Sequence, residues 1–565
     1  MRRVIDMRRA FADRARRARY AVPMPRVATI VLSNAACLRA TCMRAVCLLT
    51  ACMLISCGAS RAAWPQAAGP HGNWRVPEAK APTEWSVARG EHIRWRCALP
   101  NAGQGGIAVA GDLLFLTTFA AQDPAAPRQS NRILCHAVDR ATGAIRWTRE
   151  LAGGRPSPQL YAFSDSTSWT PIADATRVWF FNSSGVMACF AHDGRELWRR
   201  AFRTQPDAYP FNRQCEPIAF GEFLITVEPI AQDDPRHDPM RDDWNHLHAV
   251  HRATGKVAWI SEDACTFYAT PVLGPHGILV GRGGPHGVPE RPVGLSMIDP
   301  ATGRRVWRFE PKDDDGWEAL YALHSDERFA YWFRNGRAQT HLVLDARTGE
   351  LLREEPLSGA VDITRGSGER LVGVELARVA DPVFPLKEGE SLHVHPQWHA
   401  NIVANGWHWF LCTANNRRNG LAAPGHSGPA YSLGRVHVET GRVEFLELPV
   451  GVDAEGRRLY GRPLRTKTTD ALGVEIADED RSRTDGWEID AFFPTPIELG
   501  GNLYFSTMLG VTYVVDAHAP VLDARALVAV NDAGPLGDTW SLSGPACADG
   551  VLYHRTAREL VAIER

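Results

Sequence analysis

The chain has 565 residues, of which 45% are hydrophobic and 22% charged, and its formal net charge is −1. This composition excludes wholesale disorder, and the near-neutral balance gives no basic surface for nucleic acid. The charge is unevenly distributed, because residues 1–57 carry eleven arginines and two aspartates, a net +9 that leaves −10 on the remainder.

Residues 1–57 resemble a bacterial export signal. An apolar run over 45–55 follows basic residues and is too short to span a bilayer as a helix. The run ends in Leu-Ile-Ser-Cys at 54–57, which resembles the bacterial lipobox, whose cysteine receives the lipid anchor. We therefore expect lipidation at Cys57. Gly58 follows in place of aspartate, which by resemblance to Gram-negative sorting rules favours the outer membrane over the inner one.

An internal repeat follows the leader. The pattern Ala-x-Asp-x-x-Thr-Gly-x-x-x-Trp at 137–147 recurs in altered form at 249–259 and 297–307, with shorter copies elsewhere. Asp, Thr and Gly at this spacing favour a tight turn, and the flanking apolar alternation predicts a hairpin. We expect the tryptophan to pack between neighbouring blades. The motif residues are Asp139, Thr142, Gly143, Trp147, Gly194, Trp198, Thr254, Gly255, Trp259, Asp299, Thr302, Gly303 and Trp307.

The spacing of the repeat predicts its architecture. Successive motif glycines at 143, 194, 255, 303, 349 and 441 are 51, 61, 48, 46 and 92 residues apart. A period near 48 with insertions is typical of a four-stranded propeller blade. A second pattern, a proline or small residue followed by a short apolar run and glycine, predicts the inner strand of each blade.

The two ends of the repeat region predict how the ring closes. Residues 93–95 carry an outer-strand signal without inner strands before it, whereas 544–565 carry inner strands without a final motif. One blade shared between the two ends would remove the exposed sheet edges. The sequence thus predicts an all-β, eight-bladed propeller closed by an N-terminal strand, with seven blades as the alternative.

The predicted division of the chain has three parts. A leader over 1–57 precedes a tether over 58–89, and the propeller occupies 90–565 with insertions near 357–392 and 451–490. Seven of the twelve cysteines lie beyond the leader and form no Cys-x-x-Cys motif, so we expect them to be small buried hydrophobic residues.

The repeat at 137–147 resembles the tryptophan-docking motif of the quinoprotein-like, or PQQ-like, propeller superfamily, and the resemblance covers roughly 90–565. That superfamily includes dehydrogenases that use pyrroloquinoline quinone (PQQ) and outer-membrane assembly lipoproteins of the BamB type, so the motif predicts fold better than function. The family's quinone enzymes hold Ca²⁺ with Glu, Asn and Asp, and many stack the quinone on a ring of two adjacent cysteines, which this sequence lacks. We expect no cofactor, with PQQ and Ca²⁺ as the alternative.

Two features outside the repeat could carry chemistry. His393, His395 and His399 lie within seven residues ahead of a predicted inner strand, where they could bind a metal or a ligand. Two loops share the string Asp-Gly-Trp-Glu, and a carboxylate beside tryptophan suits carbohydrate or cation binding. Their candidate residues are Asp315, Trp317, Glu318, Asp485, Trp487 and Glu488.

These observations favour an exported, lipid-anchored envelope protein that faces the periplasm and acts as a non-catalytic binding or assembly scaffold. Its expected partners are envelope proteins, or a carbohydrate or small ligand at the axial face, and no nucleic acid. The alternative is an envelope enzyme with an axial site, either a PQQ-dependent dehydrogenase or a carbohydrate-active lyase or hydrolase. Convergence of the histidines and the Asp-Gly-Trp-Glu loops at the axial mouth would favour that alternative.

Overall fold

The computed structural model describes residues 63–120, 129–158, 165–204, 215–231, 233–236, 245–266, 269–284, 290–312, 322–334, 340–357, 359–375, 393–415, 431–460, 468–473 and 494–565. In these ranges the regular structure is all β, and eight sheets of four or more strands form a ring. The prediction of an eight-bladed β-propeller is therefore confirmed, and the alternative of seven blades is wrong. No helix in the described part of the chain is long and apolar enough to cross a membrane.

Blades 1 to 4 each contain four antiparallel strands, which run in order from the innermost to the outermost. Blade 1 contains Ala108–Ala110, Leu113–Phe119, Gln129–Asp139 and Ile145–Pro158. Blade 2 contains Ile172–Ala173, Arg177–Asn182, Val186–Ala191 and Glu196–Ala201. Blade 3 contains Ile218–Phe220, Phe223–Pro229, Asn245–His251 and Val257–Cys265. Blade 4 contains Val272–Gly274, Gly277–Gly284, Glu290–Ile298 and Arg305–Phe309.

Blades 5 to 8 continue the ring in the same strand order. Blade 5 contains His324–Ser325, Phe329–Arg334, Thr340–Asp345 and Leu351–Pro356. Blade 6 contains His393–Ala404, Trp407–Asn415, Tyr431–His437 and Val443–Glu447. Blade 7 contains Ile497–Leu499, Asn502–Ser506, Val511–Asp516 and Leu527–Asp532. Blade 8 contains Ala546–Ala548, Val551–Arg555, Glu559–Ile563 and the N-terminal strand Ile93–Ala98.

Blade 8 closes the ring with strands from both ends of the chain. Ile93–Ala98 pairs antiparallel with Glu559–Ile563, so that the outermost strand comes from the N-terminal side and the other three from the C-terminal side. This is the closure that the sequence predicts. It leaves no blade with an unpaired inner strand at the junction between the two ends.

Two hairpins lie in the predicted insertions. Ala360–Thr364 and Arg370–Glu375 form a hairpin that extends blade 6 outward, with its first strand parallel to Val443–Glu447. Gly451–Val452 and Arg458–Leu459 form a separate two-stranded hairpin. The described part of the insertion near 357–392 thus adds two strands to the sheet of blade 6 and is not a loop without secondary structure.

The core of each blade lies in its middle strands, which have neighbouring blades on both faces. Val178, Trp179, Phe180 and Phe181 are consecutive and all buried, as expected for a strand covered on both sides. Outer strands such as Glu196–Ala201 alternate between exposed and half-buried residues. The seven cysteines of the described chain are buried and free of disulfide bonds, as predicted.

The hairpin turn before each outer strand has the geometry that its residue types favour. Oδ1 of Asp139 accepts hydrogen bonds from the backbone N–H of Thr142 at 2.9 Å and from its hydroxyl group at 2.8 Å. Gly143 has a φ of +76° and donates its N–H to the carbonyl of Asp139 at 2.8 Å. Glycine adopts this left-handed conformation without the steric cost that other residues incur.

Five of these turns in the described chain pack on a tryptophan of the preceding blade. A methyl group built on Gly255 would lie 2.6 Å from Cε3 of Trp198, so only glycine lets the ring approach so closely. The same contact recurs in five glycine–tryptophan pairs of the described chain: Gly143 with Trp95, Gly194 with Trp147, Gly255 with Trp198, Gly303 with Trp259, and Gly349 with Trp307.

Hydrogen bonds reinforce this contact between blades. Nε1 of Trp147 donates to the carbonyl of His192 at 2.7 Å, and Nε1 of Trp198 donates to the carbonyl of Arg252 at 2.9 Å. In blade 5, Arg353 occupies the tryptophan position. Its Nη2 donates to the carbonyl of His437 at 3.3 Å, so the guanidinium group supplies the donor that the indole supplies elsewhere.

Residues 63–89 fall within the predicted tether and are called the N-terminal segment below, and their first part packs along the inner strands. Trp64 exchanges two backbone hydrogen bonds with Val109 of blade 1, at 2.7 and 3.1 Å. The carbonyl of Pro65 accepts the N–H of Ala173 of blade 2 at 2.9 Å, and Oε1 of Gln66 accepts the N–H of Ala219 of blade 3 at 2.8 Å. The segment therefore continues from blade to blade across the ring.

The second half of the N-terminal segment reaches the far side of the ring. Arg75–Val76 pairs parallel with the inner strand of blade 7, and Arg75 forms an ion pair with the buried Glu498. The ring of Trp74 packs edge-on against His324 of blade 5, with centroids 6.2 Å apart. Trp64, Trp74 and Trp85 are at most 4% exposed, so this segment is part of the hydrophobic core.

Candidate functional site

A cavity of about 130 Å³ lies at the centre of the ring, where the inner strands of the blades begin. Trp64 and Trp74 of the N-terminal segment form part of its wall, and residues from seven of the eight blades form the rest. We call it the axial cavity. Its polar lining consists of Gln104, Ser168, Thr170, Glu216, Thr270, His399, Thr495 and Ser543.

A chain of hydrogen bonds joins the starts of four consecutive inner strands beside this cavity. The N–H of Gly106 donates to Oγ1 of Thr170 at 3.0 Å, and Thr170 donates its N–H and its hydroxyl group to Glu216 at 2.8 and 2.9 Å. The N–H of Glu216 in turn donates to Oγ1 of Thr270 at 3.2 Å. Blades 1 to 4 are thereby joined to one another at the axis.

Glu216 is the acidic group of the axial cavity. Burial raises its pKa to about 7, and the hydrogen bonds from the N–H and hydroxyl group of Thr170 partly oppose that rise. The carboxyl group is therefore close to half ionised at neutral pH. A carboxylate with this pKa can exchange a proton near neutrality or pair with a cation.

His399 lies within the inner strand of blade 6, at the irregularity in pairing between Pro396 and Asn401, and lines the axial cavity. Burial lowers its pKa to about 4, so the ring is neutral at neutral pH. Its Nδ1 is buried without a hydrogen-bond partner. An unpaired polar atom in such a site costs free energy, which is typical of positions where water or a ligand is bound.

The electrostatics of the axial cavity are set by these two residues. Among the described residues that line it, Glu216 and His399 are the titratable ones, and none is lysine or arginine. In the described ranges no three His, Cys, Asp or Glu side chains lie together as a metal site would require. The cavity is thus suited to neutral or positively charged small molecules.

Of the three predicted histidines, His399 is the one whose side chain lies within the described residues. His399 lines the axial cavity, whereas His393 and His395 lie earlier in the same strand, where their Cα atoms pair with those of Asn415 and Thr413. The side chains of His393 and His395 lie outside the described residues. The described chain therefore brings one of the three to the axis.

The remaining candidates fall outside the described residues: Cys57, Asp315, Trp317, Glu318, Asp485, Trp487 and Glu488. Both Asp-Gly-Trp-Glu strings nevertheless precede inner strands by sequence, and Pro494 and Thr495, shortly after the second string, line the axial cavity. Whether these loops reach the cavity stays a prediction.

Sequence reasoning missed Glu216 and the N-terminal segment as parts of the site. Glu216 begins an inner strand in the pattern Glu-Pro-Ile, where the neighbouring blades have Thr-Pro. The signal for Glu216 was this exchange of a threonine for an acid at a position that faces the axis. The signal for the segment was the set Trp64, Trp74 and Trp85, since tethers rarely carry three large apolar side chains.

Comparison with known proteins agrees with this architecture. The family model described as outer membrane protein assembly factor BamB matches residues 85–227 and 125–261. The search of the curated proteins finds no match.

Solved structures with a similar arrangement share little sequence with this chain. A quinohemoprotein alcohol dehydrogenase from Comamonas testosteroni is 12% identical with a TM-score of 0.50, covering 90% of this chain and 81% of its own. A second quinohemoprotein alcohol dehydrogenase, from Pseudomonas putida HK5, is 10% identical with a TM-score of 0.49, covering 89% and 80%. BamB from Moraxella catarrhalis is 12% identical with a TM-score of 0.32, covering 87% and 97%.

At sequence identities this low, structural similarity is evidence for a shared fold and not for a shared function. The matched repeat over 85–261, the eight sheets of four or more strands and the five turns that dock on a tryptophan agree with one another. The chain therefore has the fold of the PQQ-like β-propellers, and over residues 85–261 its sequence is similar to their family model.

Proposed function

We propose that this protein is an exported, lipid-anchored, non-catalytic scaffold that binds other proteins in the bacterial cell envelope. The proposal rests on the N-terminal segment, which carries Trp64 and Trp74 to the axis and leaves a cavity of about 130 Å³ there. Pockets for drug-sized ligands or cofactors usually enclose about 300–1,000 Å³. The axis is therefore used mainly for packing.

The residues around the axial cavity do not fit PQQ and Ca²⁺. PQQ is a tricarboxylate, and the described lining residues include no lysine or arginine to neutralise it. The lining offers one carboxyl group, that of Glu216, whereas Ca²⁺ takes six to eight oxygen ligands, usually with several carboxylates. This mismatch supports a scaffold over a quinone-dependent dehydrogenase.

The match to a family described as an outer membrane protein assembly factor supports an envelope role with protein partners. The hairpin that extends blade 6 supplies a surface for such a partner. Val372 lies on its outermost strand and is 66% exposed, beside backbone groups that an added strand could pair with. We infer that an extended segment of an envelope protein docks along Arg370–Glu375.

The anchor is tested with the Cys57→Ser variant in cells. The unaltered chain should incorporate labelled fatty acid and fractionate with membranes, whereas the variant should lose both properties because the acceptor thiol is absent. A Cys52→Ser variant, which changes a leader cysteine outside the lipobox-like string, is the control and should keep both. Unchanged labelling in the Cys57→Ser protein would disprove the anchor.

The partner surface is tested by crosslinking in living cells, purification of the full chain and identification of captured envelope proteins. Val372→Asp should reduce the capture of an outer-membrane assembly component at least fivefold, because a buried charge would oppose strand pairing. Val528→Asp, on the outer strand of blade 7 at 38% exposure, should leave the capture unchanged. The dehydrogenase alternative has its own test. If the protein, treated with PQQ and Ca²⁺, oxidised alcohols and reduced a redox dye, that alternative would be established.

A further inference from the structure

The axial cavity has a composition that selects among small ligands. Its described lining combines one carboxyl group, Glu216, with one imidazole, His399, and the hydroxyl groups of Thr270 and Thr495. No lysine or arginine is present among those lining residues. An anion would therefore meet a carboxylate with no opposing charge.

Glu216 retains capacity for a ligand. Its two oxygens accept the N–H and the hydroxyl group of Thr170, at 2.8 and 2.9 Å. An ionised carboxylate accepts about four hydrogen bonds, so about two acceptor positions are left. Because burial disfavours the charged form of Glu216, a cation placed beside it would restore a favourable environment for that charge.

The size of the axial cavity limits that cation. A cavity of about 150 Å³ can hold benzene, so one of about 130 Å³ suits a molecule of about six heavy atoms or fewer. Trp64, Ile107 and Ile497 supply an apolar wall suited to one or two methylene groups. A divalent metal ion is disfavoured, because the described residues offer no cluster of three metal-binding side chains.

We propose that the axial cavity binds a small protonated amine, whose ammonium group pairs with the carboxylate of Glu216 and whose carbon atoms lie against the apolar wall. His399 adds no competing positive charge, since its imidazole is neutral at neutral pH. Its unpaired Nδ1 is a hydrogen-bonding atom available to a polar substituent on the ligand. The inference concerns the axis and does not depend on the proposed partner surface of blade 6.

The test uses three probes of similar size and different charge with the purified full-length protein. Titration calorimetry should show binding of ethanolamine, at least tenfold weaker binding of its neutral counterpart ethylene glycol, and no binding of the anion glycolate. Equal affinity for ethanolamine and ethylene glycol, preference for glycolate, or no binding of any probe would each overturn the proposal.

Glu216→Gln keeps the size of the side chain and removes its charge, so it should weaken ethanolamine binding at least tenfold. Thr495→Val is the matched control, because it alters another lining residue without changing charge, and it should change the affinity less than threefold. Thermal unfolding of both variants checks their folding. Unchanged binding in a folded Glu216→Gln protein would contradict the role of the carboxylate.

Proton release provides a second measurement that needs no variant. Burial raises the pKa of Glu216 to about 7, so the group is mostly protonated at pH 6 and must lose its proton to pair with an ammonium ion. Of the titratable groups nearby, His399 stays neutral and burial raises the pKa of the Cys215 thiol, so neither exchanges protons there.

Binding of ethanolamine at pH 6 should therefore release close to one proton from Glu216. The number of protons released is measured by calorimetry in two buffers of different ionisation enthalpy. The affinity for ethanolamine should be about tenfold higher at pH 8 than at pH 6, since the fraction of ionised Glu216 rises through pH 7. Binding without proton release and without this pH dependence would overturn the proposal, whatever the outcome of the partner experiment.

Discussion

The contact between Gly255 and Trp198 sets the distance between two blades at the scale of single residues. The indole ring occupies the space that a β-carbon on residue 255 would need, and the φ of +72° is one that glycine adopts readily. Two requirements therefore act on one position, one of backbone conformation and one of packing. The recurrence of this pair around the ring explains why the Thr-Gly and Trp positions of the repeat persist while the residues between them vary.

Gly255→Ala separates these requirements when it is compared with Gly406→Ala. Gly406 has a φ of +77° and open space where a β-carbon would lie, so its substitution should cost only about 1–2 kcal/mol for the left-handed backbone. Gly255→Ala should add about 1–3 kcal/mol for the displaced indole. Thermal unfolding should therefore show a larger fall in melting temperature for Gly255→Ala. Equal melting temperatures would mean that the turn relaxes without disturbing Trp198.

Glu216 shows which part of the site could not be predicted from the sequence. The Pro-Ile pattern that follows it predicts an inner strand, and the strand forms there. Its pKa, however, is raised by burial in a cavity whose lining comes from seven blades and from Trp64 of the N-terminal segment. A local pattern carries no information on that burial, so the sequence identified the strand and not the buried acid.

At the scale of elements, the outer strands could be predicted because each follows a turn with fixed chemistry. Trp147, Trp198, Trp259 and Trp307 all lie in the fourth strands of their blades. The N-terminal segment has no such repeat and contacts several blades through backbone groups, as where Pro65 meets Ala173. Backbone contacts of this kind leave little trace in the side-chain pattern, which is why the sequence predicts only a tether there.

Truncation tests the structural contribution of the N-terminal segment. A chain beginning at residue 90 should melt well below one beginning at residue 58, because it loses three buried tryptophans. Removing a single large buried aromatic side chain typically costs about 3–5 kcal/mol. Limited proteolysis should also cut the shorter chain faster at its inner strands. Equal melting temperatures and equal protease resistance would show that the segment contributes little to the core.

At the scale of the whole molecule, the propeller buries many histidines in neutral form. Nε2 of His341 lies 3.0 Å from Nδ1 of His408, and Nε2 of His408 lies 2.9 Å from Oδ1 of Asn401, which links blades 5 and 6. Burial lowers the pKa of His341 to about 3. Burial likewise lowers the pKa to about 4 in each of His136, His246, His324 and His554.

The stability of the protein should therefore fall as the pH decreases from about 6.5 towards 4. In that range the unfolded chain takes up protons at histidines with a pKa near 6.5, while the folded chain excludes them. Each such histidine lowers the free energy of unfolding by up to about 1.4 kcal/mol for every unit by which the pH falls in that range. Glu216 has the opposite effect, because its raised pKa in the folded protein makes the folded state more stable as the pH falls. This single group is outweighed by the several buried histidines.

The measurement is the melting temperature from pH 8 to pH 5, with His341→Gln as the comparison. The melting temperature of the unaltered protein should be constant above pH 7 and should fall steadily as the pH decreases below 7. The variant keeps a hydrogen-bonding side chain beside His408 without a titratable ring, and its decline should be shallower. A constant melting temperature between pH 7 and pH 5 would contradict the burial of neutral histidines.

Ring closure by Ile93–Ala98 has a consequence for how the protein is made. This strand leaves the ribosome early, yet its partner Glu559–Ile563 follows the strands of the seven other blades in the chain. The outer strand of blade 8 therefore stays without its partner, with its hydrogen-bonding edge open, until the other three strands of that blade have been synthesised. A product that stops before residue 546 lacks the other strands of that blade and keeps two open edges, which marks it for aggregation or proteolysis. Completion of the ring thus depends on synthesis of the chain through the last strand of blade 8.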